Sequence, residues 1–245
     1  MITNEELEKI KKLCNHYNLS FSISNFKIIM QTDKNKGFSN KGIKVPIKDP
    51  QPGLLTIHIS KDDQHKESLK NEEENNHIKF GSNLGYPECC CNFFKENYKE
   101  QSQNQNDFIL PALKYSRTHP FQTNIIARYF DYTLLNHFPC SFDCQASIDL
   151  ANKHLNIIRK TDLSLAIEIE NRLKCATIYT ETEGIHLLYN YKLENNILTF
   201  KTILSTAKTE LRKDLEKEKA LTIKDKNTII LNNKEITNIG IALFH

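Results

Sequence analysis

The run Gly85-Tyr86-Pro87-Glu88-Cys89-Cys90-Cys91 is echoed later in the chain by His137-Phe138-Pro139-Cys140-Ser141-Phe142-Asp143-Cys144. Each run places an aromatic residue before a proline and cysteines soon after it, and together they hold five of the seven cysteines. Proline is favoured in the first turn of an α-helix, where its missing N–H costs no hydrogen bond. We therefore predict that both runs begin helices, the second of which spans about 139–159.

Thiols at a helix N-terminus are well placed to bind a metal or to act as nucleophiles. The first-turn N–H groups and the helix dipole stabilise a thiolate, and thiolates rather than thiols bind metals and attack electrophiles. Cys140 and Cys144 would lie on one face of a helix, and at most two of the cysteines 89–91 can point to one place. If the two turns pack together, four thiols converge, and His137 is an alternative nitrogen ligand. The predicted ligands are Cys89, Cys90, Cys140 and Cys144.

The spacing leaves the nature of the site open. It matches neither the paired knuckles of a zinc ribbon nor the cysteine run of bacterial ferredoxins. Helix N-termini suit an iron–sulfur cluster such as 4Fe-4S, because its sulfides carry negative charge, and this is our first interpretation. Zinc is the alternative. The competing structural interpretation is that the cysteines pack as small buried hydrophobes.

Three functions follow from these alternatives. The first is an iron–sulfur enzyme of redox or sulfur-transfer chemistry. The second is a zinc-stabilised interaction module without catalysis. The third is a metal-free enzyme in which Cys90 or Cys140 is the nucleophile, and it ranks last because the sequence offers no clear orienting partner for such a thiol. Cys14, Cys91 and Cys175 are expected to be dispensable for metal binding.

The two cysteine runs also carry a family resemblance, which spans Gly85 to Ser147. They resemble an uncharacterised prokaryotic family, a domain of unknown function with a GYPxCC…HxPCxxxCxxS signature. The resemblance singles out the same four cysteines and leaves Cys91 as an extra one. It implies no activity.

The residues between the two runs offer candidate catalytic groups. A helix predicted over about 122–137 would place Arg128 and Asp131 on one face, leading towards His137. An arginine there could position the carboxylate or phosphate of a small-molecule substrate, and His137 could act as a ligand or a base. The simpler interpretation of Arg128 and Asp131 is a surface ion pair, which contributes little stability.

Composition restricts the remaining possibilities. The 245 residues carry a net charge of +3, which argues neither for nor against nucleic-acid binding. The lysines of the predicted helix Lys208–Lys219 alternate with Glu and Asp, which indicates a solvated face and not a nucleic-acid-binding stripe. We find no apolar stretch of membrane-spanning length and no secretory signal at the N-terminus, so we expect a cytoplasmic protein with reduced cysteines. The sequence does not indicate an oligomeric state.

The pattern of segments predicts an α+β fold. A helical centre of about 87–175 is flanked by mostly antiparallel strands, with the larger β-region at the C-terminus. We predict one domain over 1–245, which can be subdivided into 1–80, 81–175 and 176–245. The charged stretch 61–77 is expected to be a surface loop or a mobile segment. A helix of about 162–174 is predicted to begin with an Asp162 cap, and strands are predicted over Ala176–Thr180 and Ile185–Tyr191.

Overall fold

The computed structural model describes residues 4–31, 41–103 and 107–245. It confirms the α+β class, with three mostly antiparallel sheets and more strands towards the C-terminus. By their contacts, the described residues up to Asp107 form one compact unit, and those from Phe108 to His245 form a second.

The first unit combines a small sheet with four helices. Strand β1 lies in the middle of the sheet and pairs antiparallel with β2 and β3. The elements are α1 (Asn4–His16), β1 (Ser20–Met30), β2 (Gly42–Pro46), β3 (Leu54–Ser60), α2 (Gln64–Glu73), α3 (His77–Asn83) and α4 (Glu88–Gln101).

Helix α2 and the start of α3 lie where the sequence predicted a surface loop over 61–77, so that prediction is wrong. The residues that α2 buries are His65, Ser68 and Asn71, which are all polar. His58 of β3 bonds through its two ring nitrogens to Ser68 Oγ at 3.1 Å and to the Glu72 carboxylate at 2.8 Å. Because polar pairs hold this helix to the sheet, the helical periodicity of apolar residues is missing from its sequence.

The second unit begins with helical segments and continues into two sheets. Its helical part contains α5 (Ile109–Tyr115), two 3-10 helices (Phe121–Thr123 and Ile125–Phe130), α6 (Gln145–Thr161) and α7 (Leu163–Leu173). The rest comprises β4 (Ala176–Thr180), β5 (Gly184–Tyr189), β6 (Lys192–Glu194), β7 (Ile197–Thr199), β8 (Thr202–Ser205), α8 (Glu210–Glu218), β9 (Ala220–Asp225), β10 (Thr228–Leu231), β11 (Lys234–Ile236) and β12 (Ile239–Leu243).

The two sheets of this unit share a hydrophobic core. Their strand orders are β12-β4-β5-β8 and β11-β10-β9-β7-β6. Every residue of β4 and β5 is buried, as expected for strands that are covered on both faces. Ile178 of the first sheet, Ile229 of the second and Leu215 of α8 belong to one buried cluster.

Two predicted helices differ from the structure. The helix predicted over 122–137 is replaced by the two short 3-10 helices, because Asn124 caps Ala127 N at 3.2 Å and Asp131 ends the second segment in the left-handed conformation (φ 66°). The helix predicted over 139–159 begins only at Gln145. The predicted Asp162 cap is confirmed, since its carboxylate accepts a hydrogen bond from Leu165 N at 2.9 Å.

Candidate metal centre

The first cysteine turn is built by local backbone geometry. Gly85 has φ 75°, a conformation that favours glycine, and it follows the end of α3. Pro87 is then the N-cap of α4, and its carbonyl accepts hydrogen bonds from Cys90 N at 2.9 Å and Cys91 N at 3.0 Å. Cys89 and Cys90 therefore lie in the first turn of α4, as the sequence predicted.

Cys91 packs in the interior of the first unit, against Gly81. A Cβ at Gly81 would lie 2.6 Å from Cys91 Sγ, so the thiol occupies space that this glycine of α3 leaves free. Cys91 is buried, its Sγ contacts Tyr86 O at 3.8 Å, and burial together with the neighbouring Cys89 and Glu88 raises the pKa of its thiol. The two thiols left in the turn are the exposed Cys89 and the buried Cys90, whose Sγ atoms are 3.9 Å apart.

The second cysteine turn has a different construction. Cys144, not Pro139, is the N-cap of α6, and its carbonyl accepts the first hydrogen bond of that helix from Ile148 N at 3.0 Å. Cys140 lies four residues earlier, directly before the turn Ser141–Cys144, which is closed by Cys144 N donating to Ser141 O at 3.1 Å. The two cysteines are therefore brought together by a turn and not by one face of a helix.

Hydrogen bonds from residues distant in sequence fix this turn. Phe142 is fully buried, its N–H donates to Ser116 Oγ at 2.7 Å, and its carbonyl accepts from Thr123 Oγ1 at 2.5 Å. The Asp143 carboxylate accepts from Arg117 N at 3.0 Å. Burial alone would raise the pKa of Asp143, but hydrogen bonds from Ser141 and from backbone N–H groups hold it below the usual value, so the carboxylate is charged and accepting at neutral pH.

The four predicted thiols converge. The Sγ atoms of Cys89, Cys90, Cys140 and Cys144 all lie within 4.8 Å of one another, as predicted for these thiols. Four sulfurs arranged tetrahedrally at about 2.3 Å from one zinc ion would be about 3.8 Å apart. The donor set therefore fits a metal ion: these four thiols, the cysteine tetrad, could hold zinc or an iron–sulfur cluster.

His137 is not a member of the cysteine tetrad. Its imidazole is buried, and Nε2 lies 3.0 Å from Ser147 Oγ, one turn into α6. Burial lowers the pKa of His137 to about 4, with Cys144 opposing this shift and His154 adding to it. The ring is therefore neutral at pH 7, and it links the approach to the second turn with the helix that follows it.

Arg128 and Asp131 do not share a helix face, because the 3-10 segment ends between them. The Arg128 guanidinium lies 5.1 Å from the centroid of the Phe138 ring and 5.7 Å from that of Tyr129. Asp131 is exposed. Arg128 thus packs on the segment that leads to Cys140. Asp131 ends the second 3-10 helix in the left-handed conformation.

The other two cysteines lie outside the cysteine tetrad. Cys14 is buried on α1, as predicted for a core residue. Cys175 is completely buried, and burial raises the pKa of its thiol to about 11, although contacts with Thr177 and Asn124 oppose this. Both have the environment of inert structural thiols.

The residues that position the second turn could not be found from the sequence. Ser116 and Thr123 act through single side-chain oxygens, and they come from segments 26 and 19 residues before Phe142. A serine after a short helix has many ordinary roles, so no local pattern distinguishes it. Searches against protein-family models, curated proteins and solved structures find no match for this chain. Within the described residues, no helix has both the length and the apolar character needed to cross a membrane.

Proposed function

We propose that this chain is a metal-binding protein in which the cysteine tetrad holds a single ion, zinc, that stabilises the fold. The observation that supports this proposal is the distance of at most 4.8 Å between any two of the four sulfurs. A single tetrahedral ion needs about 3.8 Å between its ligands, whereas a cluster of several irons separates the cysteine sulfurs further.

The chemistry of the donors favours a structural role for the ion. Structural zinc sites have four protein ligands, and catalytic ones keep a position open for water or substrate. The cysteine tetrad supplies four thiolates, which would complete the tetrahedron. Bound zinc would supply the energy that keeps the two cysteine turns together, as expected for a zinc-stabilised interaction module.

The polypeptide supports a set of four negative sulfurs in two ways. Cys89 and Cys90 lie in the first turn of α4 and Cys144 caps α6, so both helix dipoles favour the deprotonated ligands. The bonds of Phe142 to Ser116 and Thr123 fix the loop between Cys140 and Cys144, as supporting contacts commonly do around metal sites. We place the protein in the reducing cytoplasm, where thiols remain available to metal.

A second candidate is an iron–sulfur enzyme of redox or sulfur-transfer chemistry. The specific observation in its favour is the exposure of Cys89, while Cys90 and Cys144 are buried. If only three cysteines bound a cluster, the solvent-facing corner would be open to a small-molecule substrate. The sulfur distances favour the single ion over this candidate.

Anaerobic purification followed by elemental analysis tests the proposal. We expect colourless protein with one zinc per chain and no sulfide, and a chelator should lower the melting temperature. Brown protein with several irons and acid-labile sulfide would support the cluster instead. Metal-free protein with one rapidly alkylated cysteine would overturn both and favour a thiol enzyme.

A further inference from the structure

The second unit contains a cavity of about 810 Å³, within the size range of pockets that bind small molecules. Its apolar lining comes from α5, the start of α8 and the last two strands, and it consists of Leu110, Leu113, Leu211, Ile236, Ile239 and Ile241. The cysteine tetrad contributes nothing to this lining, so the cavity is a separate feature of the molecule.

One part of the cavity lining is basic. Lys114 extends from α5, and Lys226 lies in the turn between β9 and β10. Lys226 Nζ donates to Ser116 O at 3.1 Å, which fixes it beside the end of α5. His119 also lines the cavity but adds no charge at pH 7, because burial, reinforced by the charge of Lys226, lowers its pKa to about 4.

Another part of the lining is acidic. Glu181 and Glu183 both belong to the turn between β4 and β5. The Glu183 carboxylate accepts a hydrogen bond from Leu211 N at 3.1 Å, at the beginning of α8, which orients the side chain. The acidic lining thus comes from a different turn than the basic lining.

These opposite charges do not neutralise one another in the described part of the chain. Neither lysine and neither glutamate takes part in a salt bridge with a described residue. A ligand with both charges could therefore pair with the two sets of residues and place an apolar body between them. A simple carboxylate would use only the lysines, and a simple amine only the glutamates.

We propose that this cavity binds a zwitterion with apolar side chains. The ligand would be an amino acid with an apolar side chain, or a peptide of two or three such residues. The carboxylate of the ligand pairs with Lys114 and Lys226, and its ammonium group pairs with Glu181 and Glu183. The side chains of the ligand pack on the leucine and isoleucine residues of the apolar lining. This inference stands on the cavity alone and does not depend on which metal the cysteine tetrad holds.

Calorimetric titration of the full, metal-loaded chain with the dipeptide Leu-Leu tests the proposal. Leu-Leu should bind, while N-acetyl-Leu-Leu and Leu-Leu-amide, which each lack one charge, should bind about tenfold or more weakly. That ratio corresponds to the loss of one charge-assisted hydrogen bond. No binding of Leu-Leu at millimolar concentration would overturn the proposal, and so would equal binding of either blocked peptide.

Variants then assign each charge. Lys114→Gln should weaken Leu-Leu about tenfold but leave Leu-Leu-amide unchanged, and Glu181→Gln should weaken Leu-Leu but leave N-acetyl-Leu-Leu unchanged. Both side chains are exposed, so the fold should survive the changes. Lys224→Gln is the matched control, since Lys224 pairs with Glu235 and does not line the cavity. An equal loss in all three variants would contradict the assigned roles.

Discussion

The two cysteine turns look alike in sequence but are held in different ways. The first is made locally: Gly85 adopts a positive φ, Pro87 caps α4, and the cysteines follow within one helical turn. The second needs partners from elsewhere, because Phe142 between its cysteines is bonded to Ser116 and Thr123. A proline before cysteines therefore predicts a thiol-bearing turn but does not determine where the helix begins.

Ligand substitutions should have the largest effect and should make the two turns behave alike. If one ion links them, Cys90→Ser and Cys144→Ser should each abolish stoichiometric metal and lower the free energy of unfolding by several kcal/mol, because a structural metal contributes directly to folding. Metal content and chemical denaturation of the purified variants measure both effects.

Cys91→Ser is the control for that experiment, since Cys91 lies in the same turn and packs against Gly81. It should keep one metal per chain. Equal loss of metal in Cys91→Ser and Cys90→Ser would mean that the wrong thiols of the first turn have been assigned.

Ser116→Ala should separate the two turns. It leaves the buried Phe142 N–H without its acceptor, which should cost about 1–3 kcal/mol of unfolding free energy, and it should weaken metal binding by about tenfold or more with all four ligands intact. Competition with a chromophoric chelator measures the affinity. Ser24→Ala is the matched control, because Ser24 is also buried and its Oγ accepts from Thr56 N at 3.1 Å and donates to Phe26 O at 2.7 Å. It should cost a similar amount of stability but leave metal affinity unchanged; an equal loss of affinity in both variants would refute the special role of Ser116.

Gly81→Ala tests the first turn. The added methyl would meet Cys91 Sγ at 2.6 Å, so we expect a loss of about 1–3 kcal/mol from overpacking. Cys91→Ala removes the sulfur and should restore most of that loss in the double variant, which a double-mutant cycle in denaturant measures. Strictly additive losses would show that the two residues do not meet.

Asp131→Gly should have the smallest effect. Glycine adopts the left-handed backbone conformation of this position at a lower energy than aspartate does. The unfolding free energy should therefore rise by less than about 1 kcal/mol, while the metal content stays the same. Asp131→Ala should lower stability by a similar amount. A drop in metal content in either variant would restore Asp131 as a residue of the site.

Much of this architecture is readable from the sequence because local patterns encode it. The strands Ala176–Thr180 and Gly184–Tyr189 follow from apolar runs bounded by a turn, and the Asp162 cap follows from its position before a periodic segment. The four thiols are predicted because two similar turns recur, whereas Cys14 lies on an amphipathic helix and Cys175 lies at the boundary between α7 and β4.

What the sequence could not predict depends on tertiary contacts. Helix α2 has no helical pattern of apolar residues, because the residues that it buries, including Ser68 and Asn71, are polar. The late start of α6 is not visible in the sequence, because Phe142 and Asp143 form hydrogen bonds with Ser116 and Arg117 instead of helical ones. A partner that is distant in sequence leaves no local pattern at either end.

X-ray absorption at the zinc edge on the anaerobically purified chain measures whether the cysteine tetrad holds a single zinc ion. The cysteine tetrad predicts a single shell of about four sulfur atoms at about 2.3 Å. A shell dominated by nitrogen or oxygen, or the absence of stoichiometric zinc together with iron–iron scattering at the iron edge, would contradict a single ion held by these four cysteines.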